Sequence, residues 1–150
     1  MKFQKRVFVG IVAGLIGVSA LAFSASAYGS DNDIPFLFGI PGNGGPGYSA
    51  TEYRGDSGTE VPWKVEFTYS SEGRHTLSKF YLREDFWNNK LSDYKRVMQG
   101  SSPKYYQAYD TAKNRNVKLG ALDNNPGSSG YDVAGYWDEE ADNHSFSPQD

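Results

Sequence analysis

Nucleophilic or metal-assisted chemistry could draw on very few residues of this sequence. Its 150 residues include two histidines, His75 and His144, and no cysteine. A catalytic triad needs a histidine held between a nucleophile and a carboxylate, and a zinc site needs three or four convergent ligands. His75 falls in a predicted turn and His144 in a polar C-terminal stretch, so we expect both to be exposed loop residues. The sequence therefore predicts neither a triad nor a zinc site.

Two short motifs match known functional loops but lack the context that those loops require. Residues 42–47 match G-x-G-x-x-G, yet Pro46 and the β-prone residues after it argue against the helix that a phosphate-binding loop must open. Residues 101–104 match the S-x-x-K motif of penicillin-binding enzymes, but no Lys-Thr-Gly partner motif is present. We therefore predict a flexible loop at the first motif and a helix cap at the second.

Carboxylates could supply the paired acids of a small hydrolase. Glu66 lies on a predicted strand, and Glu84 and Asp85 flank two aromatic residues. Glycoside hydrolysis needs two acids on either side of the scissile bond. Because the chain has 18 acidic residues, such a pair is expected by chance. The hydrolase is therefore an alternative, and the leading prediction is a protein that is not an enzyme and has no cofactor.

Acidic residues near the C-terminus raise the question of calcium binding. Four of them could offer oxygen ligands to Ca²⁺: Asp138, Glu139, Glu140 and Asp142. The stretch lacks the glycine-turned loop with alternating ligands that is typical of an EF-hand. We expect a solvated, frayed acidic terminus and predict no metal site.

Tyrosine is the most distinctive excess in the composition. Residues 28–150 contain 20 aromatic residues but only 13 Ile, Leu and Val residues. These rings could fill a core that is short of aliphatic side chains, or they could form a flat amphipathic contact surface. If they form a surface, the candidate residues are Tyr105, Tyr106, Tyr109 and Tyr136.

The N-terminus has the pattern of a secretory signal peptide. Residues 1–6 carry three positive charges, residues 7–23 are uncharged, and small residues occupy the −3 and −1 positions of a cut between Ala27 and Tyr28. We therefore predict a secreted, extracellular protein. Removal of residues 1–27 takes away three basic residues and no acidic one, so the net charge changes from −3 to −6. This balance gives no reason to expect nucleic-acid binding.

Alternation of apolar and polar residues predicts a series of short strands. It is clearest over residues 61–70, where Trp63, Val65, Phe67 and Tyr69 would share one face. Residues 76–83 would pair with that strand as a β-hairpin. Further strands are predicted at residues 31–38, 48–54, 94–99, 116–122 and 131–137.

One helix is predicted among these strands. Ser102 is a suitable N-cap, and Pro103 suits the first helical position. Helical spacing then relates Tyr105, Ala108, Tyr109 and Ala112, so we predict a helix at about 103–113.

The fold class that follows is mainly β, a small antiparallel β-sandwich or barrel-like domain with one short helix. The division of the chain is a signal peptide at 1–27, a Gly/Pro-rich segment with short edge strands at 28–60, a β-rich core at 61–140 and a polar acidic tail at 141–150.

Five stretches together resemble a known family. They are Asp31-Asn32-Asp33-Ile34-Pro35-Phe36, Pro62-Trp63-Lys64-Val65, Lys104-Tyr105-Tyr106-Gln107-Ala108-Tyr109, Asn116-Val117-Lys118-Leu119-Gly120-Ala121 and Gly135-Tyr136-Trp137-Asp138-Glu139-Glu140. In this order they are similar to the Gram-positive secreted domain-of-unknown-function family 2712. The resemblance implies a small secreted protein and supplies no catalytic residues. A looser architectural likeness links the chain to lactococcin-972-like bacteriocins, which is an analogy of fold only.

The leading hypothesis is a secreted, non-enzymatic domain that acts at a bacterial cell envelope, with bacteriocin-like killing as one form of that action. Its expected partner is an envelope component or a membrane protein of a bacterial cell. The alternatives are the paired-carboxylate hydrolase and an extracellular structural protein that self-associates. The sequence leaves the oligomeric state open.

Overall fold

Strand β3 (Pro62–Ser70) shows how the sequence pattern builds the interior. A computed structural model describes residues 33–125, 129–142 and 144–148, so the predicted signal peptide with its Ala27–Tyr28 cleavage site lies outside the described residues. Trp63, Val65 and Phe67 are completely buried, as the alternation predicts. A register shift after Phe67 turns Tyr69 to the outer face, so the prediction that Tyr69 shares the buried face is wrong.

The described residues form eight strands and one short 3-10 helix. The strands are β1 (Ile34–Ile40), β2 (Gly47–Arg54), β3 (Pro62–Ser70), β4 (Leu77–Glu84), β5 (Lys95–Met98), β6 (Lys104–Gln107), β7 (Arg115–Asp123) and β8 (Tyr131–Asp138). The 3-10 helix is Asp110–Ala112. No helix within the described ranges has the length and apolar character needed to cross a membrane.

The strands form two antiparallel sheets packed as a sandwich, which confirms the predicted fold class. The first sheet has the order β1-β8-β3-β6, and the second has the order β2-β7-β4-β5. Strands β3 and β4 belong to different sheets, so the predicted hairpin between them is wrong. The connection after Ser70 instead carries the chain across the sandwich, and the pairing partners of both strands come from distant parts of the sequence.

The helix predicted at about 103–113 is wrong over its first half. Residues 104–107 form β6, which pairs with β3 and places Tyr106 opposite Trp63. Tyr105 faces outward and Tyr106 inward, which is the period of a strand. The 3-10 helix Asp110–Ala112 is the helical structure that this range contains. Pairing along the edge of β3 therefore overrides a local pattern that suits a helix equally well.

Aromatic rings fill much of the space between the sheets. Phe67 of the first sheet meets Phe80 of the second edge-on, with ring centroids 5.3 Å apart. Phe36 approaches Phe80 at 5.9 Å, and Trp63 approaches Tyr106 at 5.4 Å. Tilted and edge-on pairs of this kind are favourable beyond the apolar area they bury. The core therefore absorbs part of the aromatic excess.

A buried arginine joins the two sheets at one end. Arg54 is the last residue of β2 in the second sheet and has no exposed surface. Its Nη2 donates to the carbonyl of Val61 at 2.8 Å and to that of Gly58 at 3.3 Å, on the segment that enters β3. Its Nη1 donates to the carbonyl of Glu139, just after β8. One guanidinium thus connects the second sheet to two segments that border strands of the first.

The acidic stretch after β8 is partly buried, so the prediction of a solvated, frayed terminus is wrong for its first residues. Asp138, Glu139, Glu140 and Ala141 are all buried. Farther along, the backbone N–H of Ser147 donates to the carbonyl of Tyr105 at 2.8 Å, and the Ser147 hydroxyl accepts from the Tyr105 N–H at 2.9 Å. The tail therefore covers the free edge of β6.

We expect Arg54→Ala to lower the free energy of unfolding by about 3–5 kcal/mol, because it leaves buried carbonyls without donors and nearby acids without a cation. Urea denaturation of residues 28–150, which hold all eight strands, measures this change. The control is Arg115→Ala, which removes a partly exposed ion pair with Glu84 and should cost about 0–1 kcal/mol. Equal losses in the two variants would contradict the structural role of Arg54.

Candidate binding surface

The four tyrosines that the sequence singles out lie in different parts of the sandwich. Tyr106 is 2% exposed and packs on Trp63 in the core. Tyr105 and Tyr136 lie on the outer face of the first sheet, where the Tyr105 ring stacks on His144 at 4.2 Å. Tyr109 follows β6 and donates its hydroxyl hydrogen to Asp93 at 2.6 Å. The structure therefore does not bring these four residues together into one surface.

The outer face of the second sheet carries a different row of tyrosines. Tyr48 of β2 lies opposite Gly120 of β7, which lies opposite Tyr81 of β4. The Tyr81 hydroxyl donates to the Tyr48 hydroxyl at 3.4 Å, and the Tyr94 ring meets the Tyr81 ring edge-on at 4.8 Å. We call Tyr48, Tyr81 and Tyr94 the tyrosine row. It extends from β2 over β7 to β4 and ends at Tyr94, the residue before β5.

A glycine allows the row to lie flat on the sheet. A Cβ atom at Gly120 would approach the Tyr81 ring to 2.6 Å, which is closer than two carbon atoms can pack. The ring therefore covers the bare backbone of β7. Burial raises the pKa of Tyr81 far above that of a free phenol, and the hydrogen bond to Tyr48 adds to the rise. Tyr81 is thus a neutral, fixed centre for the row.

Basic side chains accompany the tyrosine row. The Arg83 guanidinium lies 4.1 Å from the centre of the Tyr48 ring, and the Lys90 ammonium lies 4.6 Å from the centre of the Tyr94 ring. Both distances are typical of cation–π contacts. Lys118 of β7 forms an ion pair with Asp85 at 2.6 Å. The outer face of the second sheet is therefore both aromatic and cationic.

A groove around the edge of β5 collects further cations. Its volume is about 410 Å³, and it is lined by Lys79, Tyr94, Lys95, Arg96 and Tyr106. We call it the basic groove. Its lining consists of three cations and two phenols, and it meets the tyrosine row at Tyr94.

The register of β4 and β5 creates an unfavourable charge contact in this groove. Lys79 and Arg96 are direct cross-strand partners on the outer face. Like charges opposite each other destabilise a sheet. Within the described part of the chain, neither side chain forms an ion pair with a carboxylate. An anion held between them would relieve the repulsion.

A second hollow, of about 480 Å³, shares Lys95 with the basic groove. Its lining includes Asp93, Tyr109 and Asp110. The hydrogen bond to Asp93 raises the pKa of Tyr109. Because this hollow carries carboxylates, it is less suited to an anion than the basic groove.

The acids near the C-terminus form a buried group around Arg54. Burial, together with the negative charges of Asp138 and Glu52, raises the pKa of Glu139 to about 7. The three hydrogen bonds of Arg54 go to carbonyl oxygens. Its positive charge therefore acts on these acids only through space.

The same acids do not converge as metal ligands. Among the described residues, no group of three or more His, Cys, Asp and Glu side chains could hold a metal ion. Within the acidic stretch, the Asp138 carboxylate instead accepts the backbone N–H of Glu140 at 2.9 Å. His75 and His144 are both exposed and far apart in the sequence.

The basic groove and the tyrosine row can bind ligands that combine negative charge with apolar or hydroxylated surface. Lysine and arginine bind phosphate and carboxylate groups, while ring faces and phenol hydroxyls contact sugars and polyols. Sequence reasoning missed Lys79, Arg83 and Arg96. The alternation of Lys79, Tyr81 and Arg83 along β4 could have indicated that these three side chains share one face. The sequence does not show which strand pairs with β4, so it could not place Arg96 opposite Lys79.

Comparison with known proteins places the chain in a family. A family model described as "Protein of unknown function (DUF2712)" matches residues 22–141. The chain belongs to the DUF2712 family. The match ends at the buried Ala141, so it spans all eight strands, the tyrosine row and the basic groove. Curated proteins and solved structures show no match to it.

Glu139→Gln should change how stability depends on pH. A folded-state pKa near 7 means that the Glu139 carboxyl favours the folded state most below about pH 4.5 and that this contribution is lost as the pH rises through 7. The neutral glutamine removes this cost, so the variant should be more stable than the native protein by about 1–3 kcal/mol at pH 8.

Urea denaturation at pH 5 and pH 8 measures this difference, which should shrink at pH 5. The exposed Glu72→Gln removes one negative charge without changing the buried group and serves as the matched control. If Glu139→Gln and Glu72→Gln show the same dependence on pH, burial does not control the Glu139 carboxyl.

Proposed function

We propose that the chain is a secreted, non-enzymatic domain that binds an anionic polymer of the bacterial cell envelope in the basic groove. The observation that carries this proposal is the direct pairing of Lys79 with Arg96 beside Tyr94. Two like charges in register cost stability unless a ligand neutralises them. A pair of like charges that line one groove therefore favours an anionic ligand there.

The charge of the rest of the molecule makes this groove selective. The chain is acidic overall, with a net charge of −3, so its surface as a whole repels anions. Against this background, the basic groove brings three cations together beside the tyrosine row. A repeating phosphate- or carboxylate-bearing polymer with sugar or polyol units fits both, because its charges would meet Lys79 and Arg96 and its carbon skeleton would lie on the rings.

Export supports an envelope partner. The N-terminal pattern, with its small residues before the proposed cut at Ala27, would deliver residues 28–150 to the outside of the cell. Bacteriocin-like killing is a finer form of the same proposal, in which binding to the envelope precedes inhibition of a neighbouring cell. A growth-inhibition assay with purified residues 28–150 distinguishes a killing domain from one that only binds.

The two alternatives have weaker support. A paired-carboxylate hydrolase would need two free acids beside a substrate, whereas Glu84 and Asp85, two of the candidate acids, each form an ion pair with a basic side chain. A self-associating structural protein would need free strand edges. Pro35 lies in the edge strand β1, and Ser147 covers the edge strand β6. Both features oppose pairing between copies of the chain.

We expect Lys79→Gln combined with Arg96→Gln to weaken binding of a soluble polyol-phosphate polymer at least about tenfold, which corresponds to about 1.4 kcal/mol. Titration calorimetry with residues 28–150 at low salt measures this loss, and the affinity of the native protein should fall as salt is added.

The control for this experiment is Arg74→Gln combined with Lys113→Gln, which changes the net charge by the same amount outside the groove. Arg74 lies in an exposed loop, and Lys113 forms a surface ion pair with Asp110. We expect this variant to keep native affinity. Equal weakening in both variants would show that binding depends on the overall charge and not on the basic groove. Failure of the native protein to bind anionic envelope polymers would overturn the proposal.

A further inference from the structure

The chain reverses direction after β4 in a tight hairpin that projects from the end of the sandwich. The backbone N–H of Glu84 donates to the carbonyl of Asn89 at 2.8 Å, and Arg83 and Lys90 form an isolated antiparallel bridge. Asn88 adopts a positive φ of 59°, a conformation that asparagine tolerates better than most residues. The Asn89 side chain also donates to the Glu84 carboxylate at 2.7 Å. The tip of this hairpin is therefore held in one shape.

Two large aromatic side chains occupy the tip. Phe86 is 80% exposed and Trp87 is 70% exposed. Their rings contact each other edge-on with centroids 5.0 Å apart. Neighbouring apolar rings this exposed are costly in water and usually mark a contact site. An indole combines an apolar body with one polar N–H, which suits the boundary between water and lipid.

Ion pairs lie along the base of this hairpin and the neighbouring strand β7. Arg115 forms an ion pair with Glu84 at 2.8 Å, and Lys118 forms one with Asp85 at 2.6 Å. Lys90 closes the hairpin and lies 3.9 Å from Asp93. Together with Arg83, four cations face three carboxylates around the tip, in a chain whose net charge is negative. The surroundings of the tip are therefore compatible with a negatively charged surface.

We infer that Phe86 and Trp87 form an interfacial anchor that inserts into the headgroup region of an anionic lipid bilayer. Exposed aromatic side chains at the tip of a hairpin whose base carries basic residues can insert at such an interface. The hairpin extends β4, so the anchor lies at one end of the face that carries the tyrosine row. This inference rests on the hairpin alone and does not depend on polymer binding in the basic groove.

Tryptophan fluorescence tests the insertion directly. The chain contains three tryptophans, and Trp63 and Trp137 are buried in the core, so Trp87 is the one that can respond to a lipid surface. Residues 28–150 should show a blue shift of emission when mixed with vesicles of phosphatidylglycerol and phosphatidylcholine in equal amounts. Vesicles of phosphatidylcholine alone should produce a smaller shift. Because the vesicles contain no envelope polymer, the result is independent of the proposed function.

Vesicle flotation then measures the contribution of the anchor. We expect Phe86→Ser combined with Trp87→Ser to reduce the fraction bound to phosphatidylglycerol vesicles at least tenfold, with an unchanged melting temperature because both side chains are exposed. The matched control is Leu37→Ser, which removes a 72% exposed apolar side chain from the first sheet and should bind normally. Trp87→Phe should also keep binding while losing the fluorescence response.

Three results would overturn the inference. They are the absence of flotation by the native protein, undiminished flotation by the double variant, and equal binding to charged and neutral vesicles. Loss of vesicle binding in the Lys79→Gln, Arg96→Gln variant with the hairpin intact would also contradict it, because the binding would then belong to the basic groove.

Discussion

Arg54 is a buried positive charge on which the closure of the sandwich depends. It ends a strand of the second sheet and donates to the carbonyls of Val61 and Glu139, which lie at the same end of the first sheet, just before β3 and just after β8. Burial of a guanidinium is costly unless donors and charge are both balanced. The charges of Glu140 and Asp138 offset part of this cost, and this accounts for the burial of acids that would ordinarily be solvated at a terminus.

Alternation along the strands places some of the aromatic side chains in the core and others on the outer face of the second sheet. Side chains on inward positions, such as Trp63 and Phe80, replace the aliphatic residues that the core lacks. Side chains on outward positions of the second sheet form the tyrosine row, which Gly120 allows to lie against the backbone. The same residue type therefore fills the core on one face and covers the backbone on the other. Lys79, Arg83 and Arg96 also take outward positions, so cations and phenols share this face.

Much of the fold could be predicted from local pattern. The alternation over β3 identifies three of its buried residues, and the predicted strands correspond to those of the structure except for β6. The prediction fails at Tyr105 and Ala108, whose spacing of three positions would place them on one face of a helix, because the pairing of β6 with β3 makes the chain extended there. It also fails for the β3–β4 hairpin, since a short polar connection can either turn back or cross between sheets.

The sequence by itself determined the β class, the aromatic core and the family to which the chain belongs, because strand periodicity, composition and motif order are local properties. Only the tertiary structure decided which side chains meet. Lys79 and Arg96 are 17 positions apart in the chain, and their contact depends on the register between β4 and β5. The burial of the acids around Arg54 also depends on how the two sheets pack against each other. Register and sheet order are set by long-range packing, so the basic groove is a property of the folded chain.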